Sequence, residues 1–185
     1  MPESMEVELV ARAQGGDVNA IGALYDEHHE SIFRYVWLRV GDAQLAEDLT
    51  GDVFMRMLKA LPNYQAVGLP FRAWLYRIAH NLLVDHYRRN GRREPVSLDA
   101  VEAHPAGDDP LVSVERRLLA ERLGHALSQL DPHQCEVVVL RFLAGLSLQE
   151  TAAAMGRSEA AVKSLQHRSL AALRRTLGEK EQVIG

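Results

Sequence analysis

With a single cysteine, Cys135, in 185 residues, the chain has no internal disulfide, and a reducing compartment is expected. Cys135 lies in the apolar run of a helix, which leaves two readings open: a buried inert thiol or a redox sensor. No uninterrupted apolar run approaches the roughly 20 residues of a membrane span, and no N-terminal stretch joins a basic start to an apolar core. A cytoplasmic location without membrane insertion is the resulting expectation. Enzymatic signals are equally scarce. Among His28, His29, His80, His86 and His133 none pairs at i, i+4 with a nearby carboxylate as zinc hydrolases require, and no glycine loop of the phosphate-binding type occurs. An enzyme, a metal site and a cofactor are therefore not expected.

The chain does have enough apolar material, 47% of residues, to build real cores in one medium or two small domains. The formal charge of -4 looks wrong for a nucleic-acid binder until it is mapped along the chain. Residues 1–30 carry seven acids against Arg12 alone, whereas residues 71–93 carry six arginines against Asp85 alone. A phosphate meets the local field, and here that field is basic.

Helical periodicity runs from residue 5 to 89, punctuated into about four helices by Asp17, Asp42 and Leu61-Pro62. From Glu94 to Leu111 the composition shifts to three prolines, five acids and no lysine or arginine, so this piece predicts an extended acidic linker. Beyond it the spacing predicts an amphipathic helix over Ser113–Leu130, an Asp131-Pro132 start reinforced by Gln134, and a helix over Cys135–Leu143. The fold class expected is all-α: two small helical domains, residues 1–93 and 113–178, joined by a flexible linker at 94–112 and ending in a tail at 179–185.

Residues Gly145–Leu177 then read as helix, glycine turn and second helix. Ser147 and Glu150 form a capping box, Gly156 can leave the first helix in the left-handed region, and Ser158 caps the second. On the second helix Val162, Leu165, Ser169, Ala172 and Leu173 gather on one side, with Ala160, Lys163, Ser164, His167 and Arg174 on the other. Small residues permit close approach to base edges and cations grip phosphates, which fits a recognition helix in a major groove. A solvated charged face on an ordinary helical hairpin is the competing account.

A second nucleic-acid signal interleaves aromatics and arginines over Phe71–Asn81 and continues to Arg89. Phe71, Leu75, Ile78 and Leu82 face one way, while Trp74, Arg77, Asn81 and Arg88 share another sector. Exposed rings stack on unpaired bases while arginines hold the backbone, so this pattern suits single strands. A half-buried core tryptophan with an arginine collar would look the same.

Four passages together carry a family resemblance: Ala46-Glu-Asp-Leu-Thr-Gly-Asp-Val-Phe54, Phe71-Arg-Ala-Trp-Leu-Tyr-Arg-Ile-Ala-His-Asn81, Leu140-Arg-Phe-Leu-Ala-Gly-Leu-Ser147, and Ala161-Val-Lys-Ser164 with His167-Arg168. Over roughly residues 15–178 the chain resembles the extracytoplasmic-function (ECF) sigma factors, which keep regions 2 and 4 of larger sigma factors. The resemblance implies a protein that binds core RNA polymerase and directs promoter recognition, minus-10 melting and initiation. It places Gln44, Glu47, Asp48, Asp52 and Phe54 on the polymerase β′ clamp, an acidic stripe beside an exposed aromatic. The bland account of that stripe is helix solubility. An apolar groove at Leu140, Phe142 and Leu143 would take the β flap.

The loop from Asn63 to Leu69, with Tyr64 and Gln65, would capture a flipped minus-10 base, Trp74 and Asn81 would flank the melted junction, and Arg77, Arg88 and Arg89 would hold phosphates. Arg157, Ser158, Ala160, Ala161, Lys163, Ser164, His167 and Arg168 would read the minus-35 element. The linker would thread the polymerase cleft, its charge mimicking RNA. An anti-sigma factor is an implied partner, and the free chain is expected to be a monomer. Leu165-Gln166 and Ser169-Leu170 depart from the residues many relatives carry there. A stand-alone regulator that never meets polymerase is the other reading, but it leaves Phe71–Arg89 and the tether unexplained.

Overall fold

In the computed structural model, which describes residues 3–65, 69–90 and 122–179, every regular element is helical. The predicted linker, the start of the Ser113–Leu130 helix and the end of the tail lie outside the described residues. The first module comprises α1 (Glu3–Gln14), α2 (Val18–Val40), α3 (Ala43–Ala60), a 3₁₀ turn (Leu61–Asn63) and α4 (Phe71–Asn90). The second holds α5 (residues 122–128), α6 (Pro132–Val138), a π-helical turn (Val139–Leu143), α7 (Leu148–Met155) and α8 (Glu159–Glu179).

Local chemistry sets the helix boundaries. Asp17 accepts the backbone N–H groups of Asn19 and Ala20 at 2.9 and 3.2 Å, and Asp42 accepts that of Leu45 at 2.9 Å. Arg12 donates to the Asp17 carboxylate and, with the two backbone donors, holds its pKa below the ordinary aspartate value. The loop after the 3₁₀ turn is tied at its base by Gln14, whose amide donates to the Leu61 and Tyr64 carbonyls at 3.0 and 2.7 Å.

The segment after Val138 departs from the single helix expected over Cys135–Leu143. Ala144 N–H bonds back to Val139 at 2.8 Å, five residues away, and Leu146 N–H to Leu140 at 2.9 Å, so the last turn is widened. Such wide turns interrupt the normal spacing of side chains around a helix.

Buried side chains form one connected cluster running from Leu24, Ile32 and Leu75 in the first module to Leu127, Val137 and Leu140 in the second. The modules touch directly: α4 packs along α7, and Arg72 on α4 donates to the Ala144 carbonyl at 3.0 Å. A charged cluster sits in the same seam. Glu136 on α6 accepts from Tyr35 Oη at 2.5 Å and from Arg39, with His80 Nδ1 3.2 Å from its Oε1. Burial alone would raise the Glu136 pKa, but the Arg39 charge and the bonds from His80 and Tyr35 outweigh it and push it down to about 2. The carboxylate is ionised.

Candidate nucleic-acid and polymerase interfaces

The helix-turn-helix is built by short-range chemistry. Ser147 Oγ accepts the Glu150 N–H at 3.1 Å while the Glu150 carboxylate accepts the Ser147 N–H at 2.6 Å, closing the capping box. Gly156 leaves α7 at φ 63°, a conformation that strains any residue with a Cβ, and Ser158 Oγ accepts the Ala161 N–H at 3.2 Å to start α8. The turn is as tight as its residues imply.

On α8 the two sides separate cleanly. Val162, Leu165, Ser169 and Leu173 are buried, with Ser169 Oγ donating back to the Leu165 carbonyl at 2.8 Å. Arg157, Ser158, Ala160, Ala161, Lys163, Ser164, His167 and Arg168 are all exposed. Further along, Arg174 and Arg175 line a shallow groove with His167 and Arg168, extending the cationic surface. Gln166 is not free to read a base edge: its amide oxygen accepts from Arg141 Nε at 3.0 Å, and Arg141 also donates to the Leu146 carbonyl. The departures at Leu165 and Gln166 serve packing within the module.

The α4 surface is less clean. Phe71, Leu75 and Leu82 are buried, Ile78 is half-buried, and Arg77, Asn81, Arg88 and Arg89 are exposed. Trp74 is half-buried, its ring centroid 4.6 Å from that of Tyr64 and 5.6 Å from that of Phe71. Asp85 lies 3.2 Å from Arg88 and 3.9 Å from Arg56, which tempers the local positive field.

Several expected placements are corrected. Tyr64 is only 8% exposed, and its hydroxyl donates to the Leu69 carbonyl at 2.6 Å. It braces the loop and is not presented to a flipped base; Asn63 and Gln65 are exposed, and residues 66–68 lie outside the described residues. Gln44, Glu47, Asp48 and Asp52 form an exposed acidic face on α3, but Phe54 turns inward at 5% exposure, with its ring 4.7 Å from that of Tyr25. That partner sits on α2 and is not readable from the α3 sequence alone. Leu140 is fully buried, so the exposed apolar feature there is Phe142, 51% exposed, beside half-buried Leu143. Cys135 is buried, and burial pushes its thiol pKa up, away from the reactive thiolate.

Two family models match the two modules separately: sigma-70 region 2 over residues 24–93 and sigma-70 region 4 over residues 126–175. The ECF RNA polymerase sigma factor SigD of Mycobacterium tuberculosis is 33% identical across 90% of this chain and 81% of its own length. The chain belongs to the ECF RNA polymerase sigma factors. The ECF sigma factor BldN of Streptomyces coelicolor is 41% identical over 92% of this chain, which spans 65% of that protein's length. Among solved structures, CnrH in complex with the cytosolic domain of CnrY shares the fold at a TM-score of 0.71 with 29% identity, covering 92% of this chain and 96% of that one. Region 2 of this sigma factor thus carries α4 and its arginines, and region 4 carries the helix-turn-helix. Among the described residues, no helix is long and apolar enough to cross a membrane.

Proposed function

We propose that this ECF sigma factor binds core RNA polymerase and divides promoter recognition between its modules, residues 1–93 holding the melted minus-10 element and residues 113–178 the minus-35 duplex, with 94–112 between them. The observation carrying this reading is the two-sided α8. A capped helix-turn-helix presents eight exposed small or polar residues opposite a wholly packed side, which is the surface that a major groove accepts. Lys163, His167 and Arg168 grip phosphates, with Arg157 at the helix entrance, while Ala160, Ala161, Ser158 and Ser164 allow the helix to approach the bases.

In region 2, Asn63 and Gln65 sit on a loop anchored by Tyr64 and Gln14, a frame rigid enough to receive an extruded base. Trp74 offers one edge to the melted junction while its inner face rests on Tyr64 and Phe71. Asn81, Arg77, Arg88 and Arg89 line the strand path. Base extrusion costs a few kcal/mol, and stacking at roughly 1 to 3 kcal/mol per base offsets it without a chemical step. The protein then acts as an initiation factor with no catalysis of its own.

Gln44 and the exposed acids Glu47, Asp48 and Asp52 form the β′-clamp surface, and Phe142 with Leu143 the β-flap contact. An anti-sigma factor is proposed as an inhibitory partner, in keeping with the solved complex of CnrH with the cytosolic domain of CnrY. Reconstituted transcription tests the whole reading. Core enzyme plus this chain should initiate from a subset of promoters in a genomic library, and failure at every promoter overturns it.

A further inference from the structure

We propose that Glu136 closes an intramolecular latch, which holds regions 2 and 4 together in the free chain and must release before the protein can occupy both promoter elements. The proposal rests on the division of labour proposed above.

The carboxylate comes from α6 of region 4, and the three side chains around it, Tyr35, Arg39 and His80, come from α2 and α4 of region 2. They lie 101, 97 and 56 residues away along the chain, so the cluster exists only while the modules are in contact. Arg39 and Glu136 are 2% and 1% exposed at their side chains. An exposed ion pair would contribute little, but one withdrawn from water is strongly coupled, and losing one member leaves the other's charge in the seam. Tyr35 and His80 both meet Oε1 while Arg39 meets Oε2, so each carboxylate oxygen has a partner from the other module. Arg72, donating to the Ala144 carbonyl, ties the same two modules at a second point.

Distance makes the closed arrangement incompatible with a complete promoter. Elements centred at minus 10 and minus 35 are roughly 25 base pairs apart, or about 85 Å of duplex at ~3.4 Å per step. A compact chain of 185 residues has a radius of gyration of roughly 16 Å. Closed, the two reading helices cannot reach both sites. Residues 94–112 would extend to about 65 Å at full stretch, which supplies the missing reach once the seam parts. In the open form the carboxylate and guanidinium are both rehydrated, so changing either acts selectively on the closed form. A ligand that binds only the open form gains apparent affinity in proportion to the open fraction.

The test uses the full chain in two variants that attack the seam from opposite sides, Glu136→Gln and Tyr35→Phe. Small-angle X-ray scattering of the free protein reads closure. The sigma concentration giving half-maximal transcription from a promoter holding both elements reads its consequence. The wild type should be compact, and both variants should expand and reach half-maximal transcription at a concentration at least tenfold lower. Should Glu136→Gln lose helical circular dichroism, Tyr35→Phe, which leaves region 4 untouched, decides alone. An extended wild type, compact variants, or expanded variants that need as much protein as the wild type each overturn the latch. A wild type inactive at every promoter would instead overturn the functional reading, which distinguishes the two failures.

Discussion

The two helices that meet DNA in this reading, α4 and α8, differ in how much each is asked to do. Helix α8 has one side in the region 4 core and the other wholly in solvent, so its residues divide without compromise. Helix α4 is wedged between α2 and α3 on one side and α7 on another, and its nucleic-acid surface is what remains. That is why Trp74 is at once a packing residue and a candidate stacking platform, while Lys163 is only a surface cation. A recognition helix reads rigid duplex and can stand alone; a helix that traps separated strands needs a braced frame behind it.

The sharpest way to break the comparison is Val162→Asp, which buries an unpaired carboxylate in the fully enclosed floor of α8. We expect a loss of more than about 3 kcal/mol from region 4. Minus-35 duplex binding should vanish while a single-stranded minus-10 oligonucleotide is still held by the core-bound protein, as read by fluorescence anisotropy.

Acid acts on the seam between the helices. The folded pKa of Glu136, about 2, lies below its unfolded value, so its contribution is present above the unfolded value and lost as pH falls through the folded one. Module contact should weaken between about pH 4.5 and pH 2, by about 3 kcal/mol in all, and scattering curves should show expansion across that window that is absent in Glu136→Gln.

Trp74→Ala tests the dual role of α4. Open-complex formation, tracked by permanganate footprinting, should fall by about 1 to 3 kcal/mol while core binding holds; equal loss of both would make Trp74 a core residue only. Gln14→Ala frees two loop carbonyls and should cost about 1 to 2 kcal/mol in minus-10 binding without touching the minus-35 contact. Lys163→Ala is the mildest. It should lower the salt slope of duplex binding by about one, and an unchanged slope removes Lys163 from the interface.

Much of region 4 is legible in the sequence because its signals are local. A capping box, a left-handed glycine and a one-sided helix are properties of residues three or four apart, and Ser147–Glu150, Gly156 and Val162–Leu173 sit where their spacing places them. Region 2 is legible at its helix starts, Asp17 and Asp42, for the same reason. The misplaced residues share a cause of the opposite kind. Phe54 turns inward because Tyr25 waits on another helix, Tyr64 because Leu69 offers a carbonyl, and Leu140 because the whole core closes over it. Glu136 is the extreme case: in sequence it is one more acid after Cys135, and its partners lie in the other module.

The wide turn at Val139–Leu143 has a consequence for how this surface tolerates change. An ordinary helix advances by about 100° per residue, and the extra residue lodged in this turn resets the phase of everything after it. Leu140 thereby faces inward and Phe142 outward from the same short stretch. Losing one amino acid there would leave the hairpin's composition almost intact yet swing its greasy ring to a new bearing, so length is under tighter constraint at this spot than identity.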